Sequence, residues 1–338
     1  MKYVKLLGNG SVVIDQAPEP QIRAVDDVKI KVYCTSICSD DTRWFLGPRQ
    51  DIYINKSIGH EFSGYIEDAG DAARDIGFVK GTRVSGYTWC FCGKCPYCRE
   101  GKENMCINMG GYIGAMGEYI VLKDRQLCIL PPELSMESGC LTELVASCIH
   151  GIDRAELKIG QSVLINGAGG AGLVLLQLAK MQGVVNLTVN EPLESKRLLA
   201  KKMGADYVIN HENDNLYQHT TRITDQLGYD CIFDASGDDA FVDALPSIMA
   251  KRGMLILFSF YNPNGNPIKF DASELYVKEG TIKASYMAPF MLDRAMKIIS
   301  SLNLDDIIGI KFQMSDAQKA FETSLTQQYP RVMLYIEQ

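Results

Sequence analysis

The stretch SVLINGAGGAGLVLLQLAKM, residues 162–181, decides the fold of this chain. Its first five residues predict a buried strand, a glycine turn follows, and Leu173–Met181 has the pattern of a helix. Gly167, Gly169 and Gly172 form G-x-G-x-x-G at the turn, and Gly170 lies between them. Backbone N–H groups and a helix N-terminus can approach a pyrophosphate in this arrangement, so the turn predicts a dinucleotide site.

The residues after the turn indicate which dinucleotide is bound. A second strand pattern, Val185–Val189, is followed by Glu191, whose carboxylate can accept hydrogen bonds from the adenosine ribose. This acid favours NAD over NADP. Lys196 and Arg197 are close enough in sequence to reach a 2′-phosphate, so NADP remains a candidate cofactor. The alternative is a tight strand-to-helix turn that binds no ligand. The presence of Glu191 at the expected distance after the strand, turn and helix argues against it.

The pattern on either side of this unit predicts two domains. Strand and helix patterns alternate over 151–285, which predicts a doubly wound parallel sheet and an α/β fold class. Residues 1–150 contain short β-branched and aromatic runs broken by Gly, Pro, Asp and Asn, which predict an antiparallel β domain. The tail, 286–338, has two helix patterns and a last strand that we expect to rejoin the first domain. Within the parallel region we predict helix 193–203, strands 207–209 and 231–234, helix 240–250 and strand 254–259.

Composition excludes several classes of function. The chain has 338 residues, a net charge of −7 and a pI near 5.3. It therefore has no broad basic surface for nucleic acid or anionic membranes. Eleven cysteines, an odd number, suit a reducing compartment. No stretch approaches the roughly 20 apolar residues of a membrane span, and the N-terminus lacks a signal-peptide pattern. We expect a cytoplasmic protein with a small-molecule substrate.

Four cysteines, spaced C-x2-C-x2-C-x7-C, can place four thiolates around one tetrahedral metal ion. They are Cys92, Cys95, Cys98 and Cys106. An S4 site accepts zinc or iron. We favour zinc, because Ile107 and not proline follows the last cysteine. Such a closed site has no vacancy for a substrate, so we predict a structural zinc; Cys90 has no assigned role.

A second set of residues offers the mixed ligands of a catalytic zinc. Cys38 and His60 supply a thiolate and an imidazole, and Glu61 and Glu143 supply carboxylates. Each residue alone is as compatible with packing or capping as with metal binding. Together they provide the S, N and O ligands of a site that keeps one position open.

In order and spacing, these motifs resemble those of the zinc-dependent medium-chain dehydrogenases/reductases, the alcohol and polyol dehydrogenase superfamily. The resemblance implies a GroES-like β-rich catalytic domain, 1–150 and 286–338, and a Rossmann domain, 151–285. It further implies two Zn2+ ions per chain and reversible NAD(P)-dependent oxidation of a secondary alcohol. Glu143 resembles the third zinc ligand of the polyol and sugar branch, and Glu61 is an alternate or outer ligand. A homodimer or homotetramer is expected, through an edge strand near 254–259.

Two departures from the family pattern affect the expected chemistry. The family has a hydroxyl two residues after the cysteine, where this chain has Asp40; the hydroxyl has moved to Ser39. Either residue is a candidate for proton relay. Arg43 replaces a histidine and, with Arg49 and Lys56, is a candidate contact for a cofactor phosphate or a phosphorylated substrate.

Two other functions remain open at this point. A metal-free quinone or enoyl reductase of the same fold would not need Cys38, His60 and Glu143. A dinucleotide-binding protein without turnover is the alternative outside enzymes, and Asp40 in place of a hydroxyl is its only support. A complete open metal site favours the zinc enzyme over both.

Overall fold

The computed structural model describes residues 1–47, 54–239, 241–261 and 267–336. The chain divides into two compact units. The first contains Met1–Ala146 and Ala288–Gln338, and the second contains Ser147–Met287.

The described residues form strands that we number β1 to β15 along the chain. In order, they are Lys2–Gly8, Ser11–Gln16, Asp27–Ile37, Glu61–Ala69, Arg83–Gly86, Tyr119–Lys123, Leu127–Ile129, Ser162–Asn166, Val185–Asn190, Tyr207–Ile209, Tyr229–Asp234, Met249–Leu257, Thr281–Ala284, Ile308–Gln313 and Arg331–Tyr335.

The α-helices among the described residues are numbered α1 to α11. In order, they are Ser39–Leu46, Asp71–Asp75, Pro96–Arg99, Met136–Cys140, Thr142–Ala155, Gly170–Met181, Glu194–Lys202, Leu216–Ile223, Ala272–Lys278, Leu292–Ile298 and Ala317–Leu325.

The first unit is built on a mainly antiparallel sheet in the order β14-β15-β3-β4-β5-β7, with β6 paired to β3. The long strand β3 has neighbours on both sides, and its side chains are buried along most of its length in the core of this unit. The last strand, β15, pairs with β3, so the predicted return of the tail to this domain is confirmed. β14 runs parallel to β15, an exception to the antiparallel prediction.

The second unit contains a parallel sheet in the order β10-β9-β8-β11-β12-β13. All five residues of β8 are buried, as expected for a central strand of a sheet covered on both faces. The predicted doubly wound sheet is therefore confirmed. The expectation of an edge strand at 254–259 is wrong, because β12 pairs with β11 on one side and β13 on the other. Among the described residues, β13 lies at that edge.

One predicted helix has a different form in the structure. The apolar pattern at 240–250 predicts an α-helix, but a 3-10 helix covers Val242–Ile248 and strand β12 begins at Met249. Pro246 lies inside this segment. Because proline has no N–H and its ring clashes with the preceding turn, it disfavours an α-helix here. Ala240 lies outside the described residues.

No helix in the described part of the chain combines the length and the apolar character needed to cross a membrane.

Candidate active site and metal centres

Three predicted ligands meet where strands β3 and β4 lie side by side. Cys38 directly follows β3 and is the N-cap of helix α1, whereas His60 immediately precedes β4 and Glu61 is its first residue. The strand register pairs Ser36 with Glu61, which brings these two segments together. One ligand atom from each of Cys38, His60 and Glu61 lies within 4.8 Å of the other two. The S, N and O donors therefore fit a zinc ion.

Asp41 organises this group, although the sequence analysis did not select it. One carboxylate oxygen accepts the N–H of Cys38 at 2.9 Å, and the other accepts the N–H of Gly59 at 3.1 Å. The latter oxygen lies 3.6 Å from Nδ1 of His60. Because Nδ1 faces Asp41, Nε2 is left to bind a metal. The signal for this role was an Asp in the first turn after Cys38, the position of a capping acid.

The ionisation of the group follows from burial and nearby charge. Burial raises the pKa of the Cys38 thiol. Burial alone would lower the pKa of His60, but the charges of Asp41 and Cys38 outweigh it and raise that pKa well above its usual value. A metal ion replaces the proton in such a site, because its ligands bind as thiolate and neutral imidazole.

Glu61 is held by a residue far along the chain. Arg331, at the start of β15, donates Nε to one oxygen of Glu61 at 3.1 Å and Nη2 to the other at 3.0 Å. Glu61 is fully buried. Burial opposes its negative charge, but Arg331 outweighs burial and lowers the pKa of the carboxyl. No local sequence signal identifies Arg331, because it is separated from Glu61 by 270 residues.

Glu143 is not part of the set of ligand atoms formed by Cys38, His60 and Glu61. It lies in the first turn of α5 and is buried. Burial is the largest cause of the raised pKa of the Tyr87 hydroxyl, and the negative charge of Glu143 is the second. Its role as the third ligand therefore stays a prediction.

The candidate relay residues lie in the first turn of α1. The Ser39 hydroxyl is 3.8 Å from the sulfur of Cys38. Asp40 pairs with Arg43 at 3.2 Å, so this guanidinium is already engaged by a carboxylate. Lys56 is exposed. Arg49, the third candidate contact for a phosphate, lies outside the described residues.

The four lobe cysteines form the second group that can hold a metal ion, with their sulfur atoms all within 4.8 Å of one another. They are Cys92, Cys95, Cys98 and Cys106. The N–H of Cys95 donates to the sulfur of Cys92 at 3.3 Å. The N–H groups of Lys94 and Cys95 lower the pKa of Cys92 to about 6, which favours a thiolate. This geometry fits a closed tetrahedral zinc site.

The glycine turn has the shape that its motif predicts. Gly167 has φ +97°, a left-handed conformation that favours glycine. A Cβ atom on Gly172 would lie 1.9 Å from the carbonyl oxygen of Gly167, so only glycine fits there. Gly169 is the N-cap of α6, which begins at Gly170. The first N–H groups of this helix are therefore positioned for an anion.

Glu191 follows β9 beside this turn. One carboxylate oxygen accepts the N–H of Ala168 at 2.8 Å, and the other accepts the N–H of Leu193 at 3.0 Å. Lys196 is buried. Arg197 donates to the carbonyl oxygen of Glu191 at 2.8 Å. Of the two basic residues that kept NADP as a candidate, Lys196 is therefore buried, and Arg197 is bound to the backbone of Glu191.

Comparisons with known proteins agree with this geometry. The model for the alcohol dehydrogenase GroES-like domain matches residues 24–132, and the model for zinc-binding dehydrogenases matches residues 170–301. These two ranges together cover more than half of the chain.

Several similar proteins are named as dehydrogenases of polyols or of polyol phosphates. D-arabitol-phosphate dehydrogenase of Enterococcus avium is 29% identical over 320 residues, 91% of this chain and 90% of that protein. Sorbitol dehydrogenase of Halalkalibacterium halodurans is 27% identical and covers 97% of this chain and 96% of its own. The structure of galactitol-1-phosphate dehydrogenase from Escherichia coli shares the fold, with a TM-score of 0.89, 24% identity and coverage of 99% and 100%.

Proposed function

Because this chain belongs to the zinc-dependent medium-chain alcohol and polyol dehydrogenases, we propose that it oxidises a secondary alcohol of a polyol, cyclitol or sugar. The reaction is reversible and NAD(P) is the second substrate. The substrate is free or phosphorylated. The observation that carries the proposal is the convergence of Cys38, His60 and Glu61 on one point in a chain of this family. A metal-free reductase would not require that convergence.

When bound, zinc acts as a Lewis acid on the substrate oxygen and NAD(P) accepts the hydride. The residues of this chain prepare the site for that chemistry. Cys38, His60 and Glu61 supply donors, and Asp41 orients the imidazole. Arg331 keeps Glu61 ionised in a buried position. Ser39 and Asp40, in the adjacent helical turn, are the groups that carry the alcohol proton towards solvent.

The third protein ligand of the catalytic zinc is a separate proposal. The present geometry favours Glu61, because it belongs to the cluster of ligand atoms and Glu143 does not. Zinc analysis of Glu61→Gln and Glu143→Gln tests this directly. If Glu61 is the ligand, Glu61→Gln loses catalytic zinc and Glu143→Gln retains it. The opposite result assigns the role to Glu143.

The cysteine lobe is proposed to bind a structural zinc. Its four sulfur atoms can close a tetrahedron, and the polar loop at 99–105 has few apolar residues to stabilise it otherwise. Metal binding would then supply folding free energy that this segment lacks.

NAD is proposed as the preferred dinucleotide. Glu191 lies beside the glycine turn, and its negative charge would repel a 2′-phosphate. The second unit is proposed to be the dinucleotide-binding domain and the first the catalytic domain.

A cytoplasmic location and a homodimer or homotetramer complete the proposal. All eleven cysteines are free thiols in the structure, which suits a reducing compartment. The assembly is expected from the family, and β13, one of the two edge strands of the parallel sheet in the described residues, is proposed as the strand that pairs with another copy.

The decisive experiment is a substrate panel with zinc-loaded protein. D-arabitol, sorbitol, galactitol and their phosphates are each tested with NAD and NADP, and NAD(P)H formation is followed by absorbance. We expect turnover of at least one polyol, with NAD preferred. Cys38→Ser should abolish turnover and retain NADH binding, whereas the matched control Cys90→Ser should retain both. Full activity of Cys38→Ser, or no turnover of any polyol by the unmodified protein, would contradict the proposal.

A further inference from the structure

Three aromatic side chains surround the metal-binding histidine, and we call them the aromatic wall: Trp44, Trp89 and Tyr112. Their ring centroids lie 6.0, 6.3 and 6.5 Å from that of His60, respectively. Trp44 and Tyr112 also contact each other edge to face at 5.3 Å. The wall therefore lies next to the point where Cys38, His60 and Glu61 meet.

Trp89 is held rigidly in this wall. Its ring stacks on Tyr87 at 5.3 Å with an angle of 17° between the planes. Its carbonyl oxygen accepts a hydrogen bond from Nε2 of Gln126 at 2.9 Å, and Gln126 is itself buried. The stack restrains the indole ring, and the hydrogen bond restrains the backbone that carries it; together they limit the directions in which the N–H can point.

The indole N–H of Trp89 is an exception to the rule that buried donors are paired. Trp89 is 9% exposed, and its Nε1 finds no acceptor in the described part of the chain. The hydroxyl of the adjacent Thr88, also buried, has no partner there either. An unpaired buried donor has lost its hydrogen bonds to water without a replacement, and such exceptions call for a ligand, water or functional role.

We infer that Trp89 donates its indole N–H to a second hydroxyl of the substrate, the one on the carbon next to the oxidised carbon. This inference rests on the proposed function and specifies its substrate class as vicinal diols within polyols or sugars. The faces of the aromatic wall pack against the C–H groups of the same molecule. Trp89 is thus a specificity-determining residue, because a simple alcohol leaves its N–H unpaired.

Trp89→Phe removes the N–H and keeps an aromatic ring. D-arabitol and sorbitol serve as polyol probes, and 2-propanol serves as a secondary alcohol without a neighbouring hydroxyl. We expect kcat/KM for the polyols to fall about tenfold more than kcat/KM for 2-propanol. Trp44→Phe is the matched control, since it makes the same change on the other wall tryptophan. It should affect both kinds of alcohol by similar factors.

Fluorescence gives a readout that does not need turnover. Trp44 and Trp89 are the two tryptophans of the chain, so Trp44→Phe leaves Trp89 as the sole emitter. We expect D-arabitol or sorbitol, added to this zinc-loaded variant, to shift the emission of Trp89 to longer wavelength. The same concentration of 2-propanol should leave it unchanged.

The outcomes separate this inference from the proposed function. Equal losses for polyols and 2-propanol in Trp89→Phe would overturn the role of the indole N–H while leaving the dehydrogenase intact. That result would mean that a buried water occupies the donor. No response of Trp89 emission to either polyol would overturn it as well, even in a protein without turnover. Failure of the unmodified protein to oxidise any alcohol would instead contradict the proposed function.

Discussion

The pair of Glu61 and Arg331 gives a quantitative prediction for stability. Both oxygens of Glu61 are bound by the guanidinium, at 3.0 and 3.1 Å, and the carboxylate is fully buried. Arg331→Leu removes both hydrogen bonds from the guanidinium and the positive charge that most strongly offsets the buried carboxylate. Removing one member of a buried ion pair costs about 3–5 kcal/mol, because the other charge stays desolvated. We therefore expect a loss of this size in the free energy of unfolding near neutral pH.

The pH dependence of this loss has a definite sign. In the unmodified protein the pKa of Glu61 is lowered, so its stabilising contribution is present above the ordinary value of 4.5 and is lost as pH falls through the lower, folded pKa. In Arg331→Leu, burial without the arginine raises that pKa instead. The variant can then neutralise Glu61 on mild acidification, so the gap between the two proteins should narrow towards pH 5.

Urea unfolding of zinc-stripped protein, followed by circular dichroism at pH 7.5 and pH 5, measures both effects. The double variant Glu61→Gln/Arg331→Leu is the control, since it removes the stranded charge and should recover most of the lost stability. A loss below about 1 kcal/mol at pH 7.5 would refute the reasoning. So would a double variant whose loss equals the sum of the two single losses.

Three further predictions concern other parts of the molecule. Burial raises the pKa of Glu103 to about 7. The stability that comes from its protonated carboxyl is therefore fully present below pH 4.5, and it is lost as the pH rises through 7. Glu103→Gln should therefore be more stable than the unmodified protein at pH 8, by about 1–3 kcal/mol; equal stability at pH 8 would contradict this. Gly172→Ala should lower the unfolding midpoint without cofactor, because its Cβ meets a carbonyl oxygen at 1.9 Å. Gly169→Ala, where a Cβ meets nothing within 4 Å, should keep the unfolding midpoint but weaken NADH binding measured by fluorescence. An unchanged midpoint in Gly172→Ala would contradict the claim that only glycine fits at that position. Cys98→Ser should lose one zinc per chain by elemental analysis, whereas Cys90→Ser loses none; unchanged zinc in Cys98→Ser would exclude the lobe as a metal site.

Features encoded by short spacings could be predicted from the sequence. The glycine turn at 167–172 and the cysteine lobe at 92–106 each lie within one continuous segment, so their geometry follows from local structure. Cys38, His60, Glu143 and Glu61 were predicted as zinc ligands, with Glu61 as the alternate. The structure brings Cys38, His60 and Glu61 together, because their segments lie on two strands that pair.

Features that depend on distant contacts could not be predicted in the same way. Arg331 and Glu61 are 270 residues apart in sequence. They meet because β15 pairs with β3 and β3 pairs with β4, and no sequence motif predicts this arrangement. The prediction that the strand at 254–259 lies at a sheet edge was wrong for a similar reason. Its neighbour β13 is a short strand of four residues, without the long apolar run that marks a buried strand.

The predicted helix at 240–250 failed for a local reason that the sequence did contain. Apolar residues recur there with helical spacing, but Pro246 interrupts the backbone hydrogen bonds of an α-helix. Asp41 was not predicted, although its position in the first turn of α1 is that of a capping acid. Its role depends on two backbone N–H groups, one of them at Gly59 on another segment.

The central claim is that this chain binds a second metal ion at Cys38, His60 and Glu61, apart from the one in the cysteine lobe. Anomalous diffraction at the zinc edge from crystals of zinc-loaded protein tests it most directly. The account predicts two peaks per chain, one enclosed by the four lobe sulfurs and one bound to the sulfur of Cys38 and the imidazole of His60. A single peak in the lobe, with no density at Cys38 in fully loaded protein, would contradict it.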